Sequence, residues 1–210
     1  MLLSRLGQGA RAGKRRIADL FRIPGLCRVF LVSAVLSMAW DMFTFLVPIF
    51  GTQIGLSASQ IGLILGTFGS AIFTVRVILP LVAQRIGQWR MLNIAMTATG
   101  AMLLVFPFFK TLPVLMLIAF LLGIGLGGAQ PMIMSLLYVL APAGRIAEAI
   151  GLYKTLRSVT HVVIPIFFGS VGTAFGFKTV FLSNSGLLAF GGYLQSKAKA
   201  AIETARAKAS

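Results

Sequence analysis

Four acidic residues face 19 lysines and arginines in this 210-residue chain, and one of them, Asp41, stands inside an apolar run in the stretch "SMAWDMFTF". The next carboxylate is Glu148. A carboxylate placed in hydrocarbon is costly unless it pairs with a cation, holds a proton or meets a polar solute. Its neighbours Ser33, Ser37, Thr44 and Pro48 recur at helical spacing and make one face too polar for lipid. Three further residues could serve the same chemistry. Arg76 is a second charge within an apolar run, and Gln130, on a face with Gly127, Met134 and Tyr138, carries an amide able to bind a solute. His161, the one histidine, suits either a proton shuttle or a hydrogen-bonded packing role.

These residues need long apolar elements to hold them. Hydrophobic residues make up 58% of the chain and charged residues 11%, with a mean hydropathy of +0.94, a composition of membrane proteins rather than soluble domains. Apolar segments fall at about 29–50, 59–83, 91–109, 113–140, 156–175 and 179–195, most of them near the ~20 residues that cross a bilayer. The expected fold is an all-α integral membrane protein of six transmembrane helices. The fourth segment is overlong and the sixth short and polar. Runs of this kind do not alternate with period two, which sets aside a membrane β-barrel.

The cations give an orientation. Arg5, Arg11, Lys14, Arg15, Arg16, Arg22 and Arg28 precede the first segment; Arg85 and Arg90 follow the second; Arg145, Lys154 and Arg157 follow the fourth; Lys197, Lys199, Arg206 and Lys208 follow the sixth. The other connections hold Lys110 and Lys178. Positive residues mark the cytoplasmic side, so both termini are expected there. The net charge of +15 is therefore read as topology, and no nucleic acid is expected as a partner. Residues 1–28 read as a basic cytoplasmic lead-in, with Ile17, Leu20 and Phe21 spaced for a short amphipathic helix on the leaflet surface. Residues 29–195 form the bundle and 196–210 a basic cytoplasmic tail.

Depth arithmetic links the intramembrane charges. Counted from Val29, Asp41 lies ~18 Å into the bilayer, and Arg76 lies ~10 Å from the cytoplasmic end of the next helix. An ion pair between them is one expectation, a coupling or substrate role for Asp41 a second, and an unpaired position in a wet cavity a third. A dry site favours the neutral acid, whereas a close guanidinium favours the carboxylate. Gly62, Gly66 and Gly69 share a face with Arg76 and Phe73, as if to admit another backbone. On the fourth helix Gly123, Gly125, Gly127 and Gly128 precede Gln130 and Pro131, where a bend is expected. Trp40, Phe43, Phe45 and Tyr153 suit either an aromatic solute or the core, and Glu148 with Arg145 and Lys154 suits an ionic latch at the cytoplasmic end.

Enzyme chemistry finds little footing. The chain has no zincin helix, nucleophile elbow or phosphate loop with its Lys, and "GIGLGG" lies within an apolar helix with no strand before it. The single Cys27 and single histidine offer no metal-ligand set, so neither metal nor cofactor is expected.

Three stretches carry a resemblance. "LPLVAQRIGQWRML", residues 79–92, is similar to the loop signature of the major facilitator superfamily, G-x-L-a-D-R-x-G-R-R: Arg85 and Gly87 match, Gln84 replaces the Asp, and Gln88 and Trp89 replace the basic pair. "GIGLGGAQPMIMSLL" resembles the Gly-rich helix ten, and "APAGRIAEAIGLYKTLRS" the connection after it. The resemblance spans about 29–195 and implies helices seven to twelve, one half of a twelve-helix secondary carrier. It implies a polar cavity lined by Asp41, and a gating role for Arg85, Gly87 and Arg90 that the loss of the signature Asp weakens. The expected function is transport of a small organic solute across a bacterial inner membrane, with efflux and proton coupling as readings. The opposing wall would come from an N-terminal six-helix half or from a second copy as a homodimer. A transport-inactive remnant or helix-packing subunit is the alternative.

Overall fold

The computed structural model describes residues 17–142, 144–176, 180–188 and 191–192. The tail 196–210 and the first 16 residues of the lead-in lie outside them. Five long helices follow in order: α1 (Pro24–Gln53), α2 (Ala58–Ile86), α3 (Gln88–Val105), α4 (Leu112–Leu140) and α5 (Ile146–Phe175). A further helical stretch at 180–188 is α6. All five long helices are long and apolar enough to cross a membrane, and no strand occurs among the described residues. Short connections fold each helix back beside the last.

Helix limits follow local chemistry. Pro24, Leu112–Pro113 and the glycines at the breaks mark the ends: Gly55, Gly87, Gly144 and Gly176 all have φ between 77 and 83°, a backbone region that costs glycine least. Gly87 is the whole connection between α2 and α3. The fifth helix begins ten residues earlier than its apolar segment, because Ile146–Thr155 is too polar to register as a span yet continues the same backbone hydrogen bonding. Lys154 and Arg157, expected in a connection, are therefore helical. The α4 helix continues unbroken through Pro131, which has no N–H to give the Gly127 carbonyl.

Burial ranks the helices. In the most apolar 18-residue window of α1, 61% of residues are buried, against 17% in α5, so α1 is central and α5 peripheral. Helix α4 packs on α1, α2 and α3, and α1 packs on α5. An aromatic chain fills the interior: Phe43 meets Phe68 at 4.8 Å and Phe106 at 5.4 Å between ring centroids, and Phe106 stacks on Phe181 at 5.4 Å. It ties α1, α2, the 3-10 turn Phe106–Phe108 and α6 together. Phe43 belongs to this core, fully buried. Asn184 of α6 is buried beside it, its amide donating to Met42 Sδ at 3.0 Å.

Two expectations are corrected here. Ile17–Arg22 is a 3-10 helix docked on α1 and α5 rather than a helix lying on the leaflet; Leu20 is fully buried, since burial against protein removes more apolar surface than one leaflet face. The close-approach glycines also differ. A Cβ at Gly62, Gly66 or Gly69 would meet nothing within 4 Å, whereas one at Gly123 would lie 2.5 Å from the Phe68 carbonyl oxygen and one at Gly127 2.9 Å from Ile72 Cα. The α2–α4 seam is built by glycines of α4 against α2, not by the glycines of α2.

Backbone atoms cannot step aside, so Gly123→Ala and Gly127→Ala are each expected to lose about 1–3 kcal/mol by overpacking. Gly66→Ala is expected to change stability by no more than about 0.5 kcal/mol. Denaturant titration of the purified chain in detergent checks the contrast; equal effects at Gly66 and Gly127 would contradict the seam.

Candidate functional site

Asp41 is 3% exposed, and its Oδ1 lies 2.7 Å from Nδ1 of His161. The partners are 120 positions apart in sequence and fall within about a turn of the middle of their 30-residue helices. Packing of α1 on α5 brings them level. Oδ2 has no hydrogen-bond partner, while the His161 side chain is 69% exposed. The pair thus runs from the interior to the outer face of α5. Two states fit the distance, an imidazolium or a neutral Nδ1–H imidazole, each donating to the carboxylate.

Arg76 is not the partner of Asp41. Its guanidinium donates to Gln130 Oε1 at 3.3 Å, because both residues lie four positions past the middle of 29-residue helices running in the same direction. The depth estimate matched Arg76 to the first helix, but α2 makes its main contact with α4, and that contact takes the guanidinium away from Asp41.

Beside this hydrogen bond lies an open cavity of about 430 Å³, lined by Arg76, Gln130, Met134, Tyr153, Lys154 and Arg157, with Pro131 at its wall. A second cavity of about 10 Å³ lies between α1, α4 and α5 and shares Gln130 and Tyr153 with it. Ser37 and Trp40 line this inner one, whose size matches one water-sized sphere. Ser37 and Gln130 are thereby brought together. Tyr153 is 3% exposed and forms the wall between the two spaces, while Tyr138, 59% exposed, lines neither.

The rest of the polar stripe on α1 satisfies itself. Ser33 donates to the Phe30 carbonyl, and Thr44 donates to the carbonyls of Trp40 and Asp41. Thr44 has spent its one donor on its own helix, and Ser33 is buried. Ser37 lines the inner cavity with Gln130 and Tyr153, and Asp41 bonds to α5.

The loop-signature residues sit apart. Arg85 lies in the last turn of α2 and its side chain is outside the description; Gly87 and exposed Arg90 open α3. Gln88, in place of a basic residue, donates to Ser135 Oγ of α4. Of the residues expected in a latch, Arg145 binds Glu148 at 2.7 Å, three positions along at the start of α5, and Lys154 instead lines the larger cavity.

Sequence reasoning missed the grouping of Tyr153, Lys154 and Arg157 with Arg76, and the level of His161. The signal was present in the start of α5: Gly144, then Arg145, then Glu148 in the first turn is a helix beginning. Counting from Ile146 puts His161 at mid-helix. Asn184 and Thr99, each 1% exposed, were also passed over.

Among curated proteins none matches the chain. A family model described as Major Facilitator Superfamily matches residues 29–204, which covers α1 to α6 and most of the chain. That match agrees with the apolar helices and the polar groups at mid-helix depth, and the chain is an integral membrane protein belonging to the Major Facilitator Superfamily.

Proposed function

We propose that this chain supplies one six-helix half of a secondary carrier that moves a small organic solute by alternating access, with Asp41 and His161 as its coupling pair. In such carriers two halves enclose a midplane cavity and rock about it. The opposing wall comes from another six-helix half, either a separate segment or a second copy of this chain. Both termini lie in the cytoplasm, following the Lys and Arg distribution, so the end of the bundle with Lys154 and Arg157 is the inner one.

One observation carries this reading: the exposed arc of α5 changes chemistry from one edge to the other. Lys154, Ser158 and His161 share one edge, and Val162, Ile166, Val159 and Val163 follow round the helix. Lipid suits the valines and isoleucine. It does not suit an exposed histidine and lysine on a spanning helix, so that side needs a wet path and a facing protein wall. His161 connects that path to the buried carboxylate, which is the arrangement a proton-coupled site requires.

Two experiments test the reading. In a Cys27→Ser background, Ser158→Cys is expected to react rapidly with a membrane-impermeant thiol reagent in sealed vesicles, and Val163→Cys slowly. Equal, slow labelling at both positions would place lipid on both sides of α5 and remove the path. In proteoliposomes holding the assembled carrier, Asp41→Asn is expected to cut solute-driven proton entry by about a hundredfold or more, read with an internal pH dye. Unchanged proton entry in that variant would end the coupling role.

A further inference from the structure

We infer that the larger cavity binds the acidic head of a small organic anion, a substrate class for the carrier reading on which this rests. Three cations, Arg76, Lys154 and Arg157, line one space with no carboxylate among its lining residues. The two acids on the spanning helices are engaged elsewhere: Asp41 is bound to His161 and Glu148 to Arg145. Among the described residues none of the three cavity cations forms an ion pair. Arg76 gives one N–H to Gln130, and a guanidinium has five, so a planar fork remains for a carboxylate or a comparable acid.

Position strengthens the case. Arg76 lies about 6 Å from the middle of α2, deep enough that a charge without a counter-ion is unfavourable. Lys154 and Arg157 approach the same level from α5, which runs the opposite way. An anion bound between α2 and α5 would neutralise charge on both helices at once. The volume of about 430 Å³ is within the usual range for small-molecule sites. Met134, Pro131 and the ring of Tyr153 give the rest of the lining an apolar surface, which favours an anion with a compact apolar body over an inorganic one. The headgroup of an anionic phospholipid offers the same charge, and the test separates it from a solute.

The test uses the full chain, Cys27→Ser with Met134→Cys, in nanodiscs of phosphatidylcholine. The thiol in the cavity is titrated with two reagents of opposite charge, anionic 2-sulfonatoethyl and cationic trimethylammonioethyl methanethiosulfonate. A positive cavity is expected to favour the anionic reagent by about tenfold or more over their ratio with a free thiol, and Arg76→Gln with Arg157→Gln is expected to erase that preference. Benzoate is expected to protect the thiol, and isosteric benzamide and benzylamine are not. A reagent ratio equal to that of the free thiol, or protection by benzylamine as good as by benzoate, would overturn the assignment. So would protection by added phosphatidylglycerol with none by benzoate, which would make the occupant a lipid. The readout is binding by this chain alone, so an assembled carrier that moves no solute would refute the carrier reading and leave the anion site standing.

Discussion

Two backbones touching at Gly123 and Gly127 set the frame for the rest of the bundle. Between helices in a membrane there is little hydrophobic drive, since lipid tails are as apolar as leucine, and close packing must supply the attraction. Here α4 is brought so near α2 that a methyl group has no room. Gln130 follows Gly127 by less than one turn, and the same approach carries it to Arg76. The seam therefore fixes more than stability: it decides which charged residue is drawn toward α4 and leaves Asp41 to find a partner on α5.

That partition governs the electrostatics. With four acids in the chain, each carboxylate has a choice of cations, and the helix pairing makes the choice. Asp41 takes the one histidine, Glu148 takes the arginine three residues before it, and among the described residues the cations of the larger cavity form no ion pair. A basic residue can be tolerated without a carboxylate where its stem runs along apolar surface and its head reaches a polar space. The cavity beside Tyr153 is such a space.

Much of the fold was legible because hydropathy and length alone identify spanning helices. The breaks were legible where glycine takes a left-handed φ, and four of the five long helices lie close to their expected positions. Pairings between helices were less so. Asp41, Arg76, Gln130 and His161 were each recognisable by type and setting, but which met which depended on which helix lay against which, and a single sequence gives depth without lateral order. The glycines show the same limit. Gly62, Gly66 and Gly69 have the spacing of a packing face, yet within the described bundle the contact belongs to Gly123 and Gly127. The polar start of α5 hid ten residues from a hydropathy reading, and with them the level of His161 and the company of Lys154 and Arg157.

The single-residue junction at Gly87 has a mechanical consequence. Consecutive Cα atoms stand about 3.8 Å apart, so one residue gives the facing ends of α2 and α3 almost no slack. These two helices must travel as a jointed pair, hinged at their shared end and free to splay only at the other. Longer connectors at 54–57, 106–111 and 141–145 can absorb displacement that Gly87 cannot. Gln88, bonded to Ser135 beside the joint, adds α4 to the pair at that end. Any large rearrangement of the bundle would then carry α2, α3 and α4 together at that end, with the Arg76–Gln130 bond wholly inside the unit.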